Sequence, residues 1–250
     1  MCRHIAYLGP EITLGEVLVE PPHSLYRQSW APRRQRYGTV NADGFGVGWY
    51  APPDPVPARY RRTGPIWADP SVKDLARVVR TGALLAAVRD TTDGSAPDES
   101  AAAPYGAGPW LFSHNGALPG WPESVAGLVA ELPPEDLLRI EARCDSALVW
   151  ALVLHRLRAG QPPGEALADT VTAVAAHTDA RLNLLLTDGT AIAATAWGDT
   201  LWHRLEPGRQ VVVASEPHDD RPGWTELPDR ALLLATRDGV DVTPLKEPPA

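Results

Sequence analysis

Lysine and cysteine are nearly missing from this 250-residue chain, which has two of each. Two cysteines, Cys2 and Cys144, are too few for a disulfide framework or a zinc site of the cysteine type. No basic run exceeds Arg33-Arg34-Gln35-Arg36, and the formal charge is −8. That balance excludes a protein that rides on phosphate backbones, so no nucleic-acid partner is expected. The most apolar segment, Ala147 to Leu154, is too short to cross a bilayer and leads into His155-Arg156, so no membrane partner is expected either. No charged start is followed by an apolar run, which argues against a signal peptide, and a reduced, cytoplasmic protein fits. No break in composition and no repeat divides the chain, so one domain over residues 2–250 is expected. The abundance of proline (26 residues) and alanine reads as GC-rich codon usage, not as function.

What is present is a pattern of short strands. Residues 2–8 alternate apolar and polar side chains, as a strand lying on a core does. Between Thr39 and Trp49, Gly44, Gly46 and Gly48 alternate with Phe45, Val47 and Trp49. That spacing suits a buried strand approached closely by other backbone or by a ligand. Ser71 predicts a helix start running to Arg80, with Asp74 at the capping-box position. Residues 82–89 and 110–113 read as strands, and 93–109, rich in Gly, Pro, Ala and Ser, as a long surface loop. Asp145 to Leu157 predicts a helix that is apolar on most sides, and residues 165–177 a more amphipathic one. Five strand-like runs follow at 181–187, 190–197, 200–205, 210–215 and 231–235, with Asp188-Gly189 a hairpin turn between the first two. Strands, two central helices and a strand meander do not alternate one for one. The expected class is therefore α+β, with two antiparallel sheets sandwiched between helices.

Five segments carry candidate chemistry. If Met1 is removed, Cys2 holds a thiol and an α-amine on one residue, a nucleophile with its own base. The amine titrates near 7.7–8.0 and the thiol near 8.5, so transfer between them is close to thermoneutral. Asn41-Ala42-Asp43-Gly44 is either a turn feeding a strand or part of a site wall. Arg89 ends an apolar strand, where its planar fork can grip a carboxylate or simply form a surface ion pair. Asn115-Gly116 can aim a side-chain amide and a backbone N–H at one oxygen, although Asn-Gly is also an ordinary turn dipeptide. Asp145 can accept a bond from a ligand ammonium, or Asp145 or Ser146 can cap the apolar helix.

In this order, the five segments resemble the class II glutamine amidotransferase domains of the N-terminal-nucleophile hydrolase superfamily. Cys2-Arg3-His4, residues 28–35, Arg181-Leu182-Asn183, Trp197-Gly198-Asp199-Thr200 and Ala214-Ser215-Glu216-Pro217 extend the likeness over nearly the whole chain. They point to a branch of the family that hydrolyses a γ-glutamyl amide. The resemblance implies a four-layer αββα sandwich, the N-terminal nucleophile hydrolase fold. It further implies Cys2 as nucleophile, Asn115 and Gly116 as oxyanion hole, Arg89 on the substrate α-carboxylate and Asp145 on its α-ammonium, with Thr92 beside them. No metal or organic cofactor is implied, and the partner is a small-molecule γ-glutamyl substrate. The chain departs from the family pattern in having Asp90 and Thr91 where small residues are usual, and Asp93 where some members place a histidine.

A leaving group bearing a quaternary ammonium would favour aromatic faces, for which Trp30 and Trp49 are the candidates, with Asp90 or Asp93 adding charge attraction. Two other readings stand beside this one. The first is a glutaminase subunit serving a separate synthetase, or a hydrolase of glutathione or another γ-glutamyl peptide. The second is a binding protein with a degenerate site, against which Cys2, Arg89, Asn115 and Asp145 together count.

Overall fold

Period-two alternation along the first strands sets the layering. The computed structural model describes residues 2–91 and 98–246. Its first half contains β1 (Cys2–Thr13), α1 (Leu14–Leu18), α2 (Leu25–Gln28), β2 (Gly44–Trp49), β3 (Ala58–Arg62), α3 (Ser71–Val78), β4 (Arg80–Arg89), β5 (Tyr105–Ala107) and β6 (Trp110–Ala117). Then come α4 (Ala126–Val129), α5 (Pro134–Leu137), α6 (Asp145–Arg158) and α7 (Pro163–Ala175). The meander is β7 (Arg181–Thr187), β8 (Ile192–Ala196), β9 (Trp202–Glu206), β10 (Gln210–Ala214), β11 (Thr225–Glu226), β12 (Ala231–Ala235) and β13 (Val240–Pro244).

One sheet has the order β11-β9-β10-β1-β4-β2-β3 and the other β13-β12-β8-β7-β6-β5, with antiparallel pairing throughout. In β1 and β4, Ile5, Tyr7, Leu84, Ala86 and Val88 face outward onto α1, α2 and α3. Their alternates Ala6, Leu8, Ala83 and Leu85 face inward, against Leu111, Leu185, Ile192 and Ala194 of the second sheet. The second sheet's outer face, with Phe112, Leu182, Leu184 and Leu186, is covered by α6 and α7. The result is the expected four-layer αββα sandwich.

Buried positions run without a break from Ala147 to Val153, so α6 is enclosed on most sides. The glycines of β2 mark close approach: a Cβ on Gly46 would collide with the Ala103 carbonyl, and one on Gly48 would stand 2.7 Å from the Leu111 side chain.

Several local expectations need correction. The helix at Ser71 has Pro70 at its cap position; Asp69 Oδ1, not Ser71, takes an end N–H, that of Ser71 itself, at 2.8 Å. The stretch expected as surface loop includes packed structure in its described part, with Ala101, Ala102 and Tyr105 buried and β5 paired to β6. β3, β11 and β13 were not expected. Asp188-Gly189 does turn the β7–β8 hairpin, with Gly189 at φ 86° and Asp188 Oδ1 accepting the Thr190 and Ala191 N–H groups.

Candidate active site

Pairing register brings chemistry-bearing residues to one end of both sheets. Cys2 lies opposite Arg89 in the β1–β4 pair, and Gly44 lies opposite Arg89 on its other side. In β6, Leu111, Ser113 and Asn115 face the first sheet while Phe112 and His114 face the helices. Asn115 is thereby aimed at the start of β1, where the Cys2 nitrogen donates to its Oδ1 at 3.1 Å. β6 continues through Asn115 and Gly116, which pair with Asn183 and Leu182, so Asn-Gly forms no turn here.

Cys2, Phe45, Arg89, Tyr105, Gly116 and Asp145 line one narrow cleft, together with His114, Cys144 and Ser146. Its free space of about 20 Å³ holds about one water, so it is closed down around its polar groups. A larger groove of about 580 Å³ lies between α1 and β9–β10, but it contains no candidate nucleophile. Among the described residues, no three His, Cys, Asp or Glu side chains gather as a metal site requires.

The electrostatics of the cleft follow from burial. Burial pushes the Cys2 thiol up from its ordinary value, opposed by a hydrogen bond from the Asp90 backbone and by the charge of Arg89. Arg89 is 7% exposed. Asp145 is the first residue of α6, yet neither it nor Ser146 caps the helix; Cys144 holds the cap position without a side-chain bond. Asp145 is instead buried, its Oδ2 accepting the Leu118 N–H at 3.2 Å and its Oδ1 the Ser146 N–H at 2.7 Å. His114 bridges Ser146 Oγ and the Arg181 carbonyl, both at 2.9 Å. The carbonyl accepts only, so Nε2 carries a proton, and burial lowers the pKa of the ring, which favours its neutral form. A side chain at Gly116 would collide with the Arg181 carbonyl, which makes glycine obligatory there.

The structure therefore brings together Cys2, Arg89, Gly116 and Asp145, with Asn115 reaching them through the Cys2 nitrogen. Met1, Thr92 and Asp93 lie outside the described residues. Trp30 and Trp49 are not brought to the cleft. Trp30 packs edge-on against Tyr26 and Trp67 in the outer helical layer, with Arg27 over its ring. Trp49 sits at the opposite end of β2 from Gly44, about 17 Å away along the strand.

Asn41 does not line the cleft: fully buried, it donates from Nδ2 to the Gln28 carbonyl and to Gln35 Oε1. Sequence reasoning gave no role to Tyr105, whose hydroxyl reaches the Ala101 carbonyl and Cys144 Sγ, or to Arg3 and Asp199. Arg3 and Asp199 appeared only within motifs, with no local signal of what they touch.

The family model of class II glutamine amidotransferases matches residues 19–219. The γ-glutamyl-hercynylcysteine sulfoxide hydrolases of Mycobacterium tuberculosis and Mycolicibacterium smegmatis are each 40% identical to this chain, over 247 and 246 residues. Both alignments span 98% of this chain, and they cover 97% and 100% of those proteins. A glutamine aminotransferase class II domain protein from Silicibacter pomeroyi superposes with a TM-score of 0.71 at 24% identity, covering 98% of this chain and 100% of its own. The glutamine phosphoribosylpyrophosphate amidotransferase of B. subtilis shares the fold at a TM-score of 0.61 and 15% identity, over 98% of this chain and 49% of its own. The cleft and the match over most of the sequence lead to one conclusion: the chain belongs to the class II glutamine amidotransferase family.

Proposed function

We propose that this protein hydrolyses the γ-glutamyl amide of γ-glutamyl-hercynylcysteine sulfoxide to glutamate and hercynylcysteine sulfoxide, a step of ergothioneine biosynthesis. The observation that carries the reading is the Cys2 nitrogen on Asn115 Oδ1 at 3.1 Å, beside a cleft lined by Arg89, Gly116 and Asp145. The relatives' substrate supplies the rest of the molecule. Both thiols are free, which suits a reducing cytoplasm.

Removal of Met1 turns the Cys2 nitrogen into an amine, which takes the thiol proton. The thiolate adds to the γ-carbonyl, and its oxygen becomes an oxyanion held by Asn115 Nδ2 and the Gly116 N–H. Each such donor lowers the barrier by about 2.7–4 kcal/mol. The ammonium then returns its proton to the departing nitrogen, the C–N bond breaks and a γ-glutamyl thioester remains. Water, deprotonated by the same amine, adds to the thioester and expels the thiolate with glutamate. Arg89 binds the glutamyl α-carboxylate with its planar fork and Asp145 the α-ammonium. Glutamate release from the sulfoxide, glutamine and glutathione tests the reading. The sulfoxide should lead in kcat/KM by at least about 100-fold; a preference for glutamine would favour a glutaminase, and no release from any of them a binding protein.

A further inference from the structure

Segments with no place in the γ-glutamyl pocket meet at one buried point behind it. Asp199, in the turn after β8, offers both carboxylate oxygens to fixed donors. Oδ1 accepts the Thr200 N–H at 2.9 Å and Oδ2 accepts Asn115 Nδ2 at 3.3 Å. Oδ2 also lies 3.5 Å from the Arg3 guanidinium, and both side chains of that ion pair are fully buried. The turn is pinned in turn. Asn183, opposite Asn115 in the β6–β7 register, donates to the Asp199 and Thr200 carbonyls at 3.0 and 3.1 Å and accepts the Trp197 N–H at 2.9 Å. The Thr200 hydroxyl ties the same turn to the Ser215 carbonyl at 2.8 Å.

A primary amide turns over readily about its last torsion, exchanging oxygen for nitrogen. For Asn115 the two orientations have opposite chemistry. With Oδ1 toward the Cys2 nitrogen, the amide accepts an amine N–H and leaves the lone pair for the thiol proton. Its second Nδ2 hydrogen is then left for the oxyanion. Turned over, the amide would donate to the amine lone pair and set an oxygen against the oxyanion, so the base and the oxyanion hole would fail together. An ionised carboxylate only accepts, so it holds the nitrogen on its own side.

We propose that Asp199 is the positioning residue that fixes the Asn115 amide in its productive orientation, with Arg3 holding the carboxylate in place. The proposal rests on the roles given above to Cys2 and Asn115. Asp199→Asn keeps the shape but offers either an oxygen or a nitrogen, so the lock is lifted. Its kcat should fall roughly 10²–10³-fold, the loss expected for one oxyanion donor, with KM within about threefold. In an Asn115→Ala background the same substitution should change kcat less than about threefold, because the group it positions is gone. Asp199→Ala carries the same cycle should Asp199→Asn not fold. A kcat for Asp199→Asn within threefold of wild type, or equal losses in both backgrounds, would overturn the lock. Wild-type protein that releases no glutamate from any γ-glutamyl amide would sink the reading of Cys2 and the lock with it. Active wild type with additive variants would sink the lock alone.

Discussion

Acidification from pH 7 to pH 5 should cost this protein several kcal/mol of stability, because its buried histidines are neutral. His4 is fully enclosed with Nδ1 on Ser113 Oγ; burial first, then the charge of Arg3, hold it well below the usual imidazole range. His218 packs edge-on to Trp224, and burial pushes it down to about 4 despite Asp219 beside it. The unfolded chain takes up these protons near pH 6.5 and the folded chain does not. The unfolded state therefore binds more protons below 6.5, and stability is lost as pH falls from there toward the folded values. Each histidine approaches about 1.4 kcal/mol per pH unit below 6.5, so between pH 7 and 5 the pair costs about 4 kcal/mol. Against a typical total of 5–15 kcal/mol that is a large share. His114 and His203, also lowered by burial, act in the same direction. Asp219 and Glu16, held below their ordinary values, lose their contribution only below about pH 4, outside this window. Urea unfolding followed by tryptophan fluorescence at pH 7, 6 and 5 should show a falling midpoint at constant slope. His218→Asn, remote from the Cys2 cleft, should remove about 1.4 kcal/mol per unit from the pH dependence. A stability independent of pH from 6.5 to 5, or an unchanged pH dependence in His218→Asn, would refute the reasoning.

Cys2→Ala should abolish turnover while leaving the melting temperature within a few degrees. Intact mass of active protein should show one methionine lost, since an acylated nitrogen is no base; full activity with Met1 attached would overturn the mechanism. Gly116→Ala should destabilise by about 1–3 kcal/mol, the usual range for overpacking, because its Cβ meets the Arg181 carbonyl. The same variant should lose at least tenfold in kcat, and chemical denaturation with a glutamate-release assay reads both. Asp145→Asn keeps an oxygen for the Leu118 or Ser146 N–H but loses the charge facing an ammonium. Its kcat/KM should fall roughly 10–150-fold, the worth of a charge-assisted bond, mostly through KM.

The layering was legible because β1 and β4 alternate strictly, and a strand's period of two sends Ile5 and Ala6 to different cores. Where the sequence misled, packing decided the structure. β3 reads Ala-Arg-Tyr-Arg-Arg, and β13 is mostly exposed; both lie at sheet edges, where the outer face needs no apolar period. In β3, Arg59 and Arg61 reach Glu141 at 3.3 and 2.8 Å, so a charged strand is held by side chains far away in sequence. The described part of 93–109 carries small residues for a reason other than exposure. Ala103 approaches β2 so closely that only glycine fits at Gly46.

Residue type and order sufficed to gather Cys2, Arg89, Gly116 and Asp145 at one cleft, whereas the two tryptophans chosen by motif position do not line it. Trp30 packs edge-on against Tyr26 and Trp67, and Trp49 is half-buried against the outer core of the first sheet, the commoner use of large rings. Arg3 and Asp199 were opaque because their contacts join residues nearly two hundred positions apart, and no local period reports those. Asn115-Gly116 shows where a conflict between local preference and fold carries information. Asn and Gly both disfavour strands, and their natural place together is a turn. Yet here they continue β6 in register with Asn183 and Leu182, with no turn until the strand has ended. A strand interior that accepts two poor strand formers side by side gives up stability at that point. Gly116 is compelled by the Arg181 carbonyl, and Asn115 is the side chain that meets Cys2 and Asp199 at once. An aliphatic residue at 115 would suit the sheet better, but it would remove the acceptor of the Cys2 nitrogen and one donor to the Asp199 carboxylate. That local cost, set against two long-range polar contacts, is the physical reason to place the chemistry at this dipeptide.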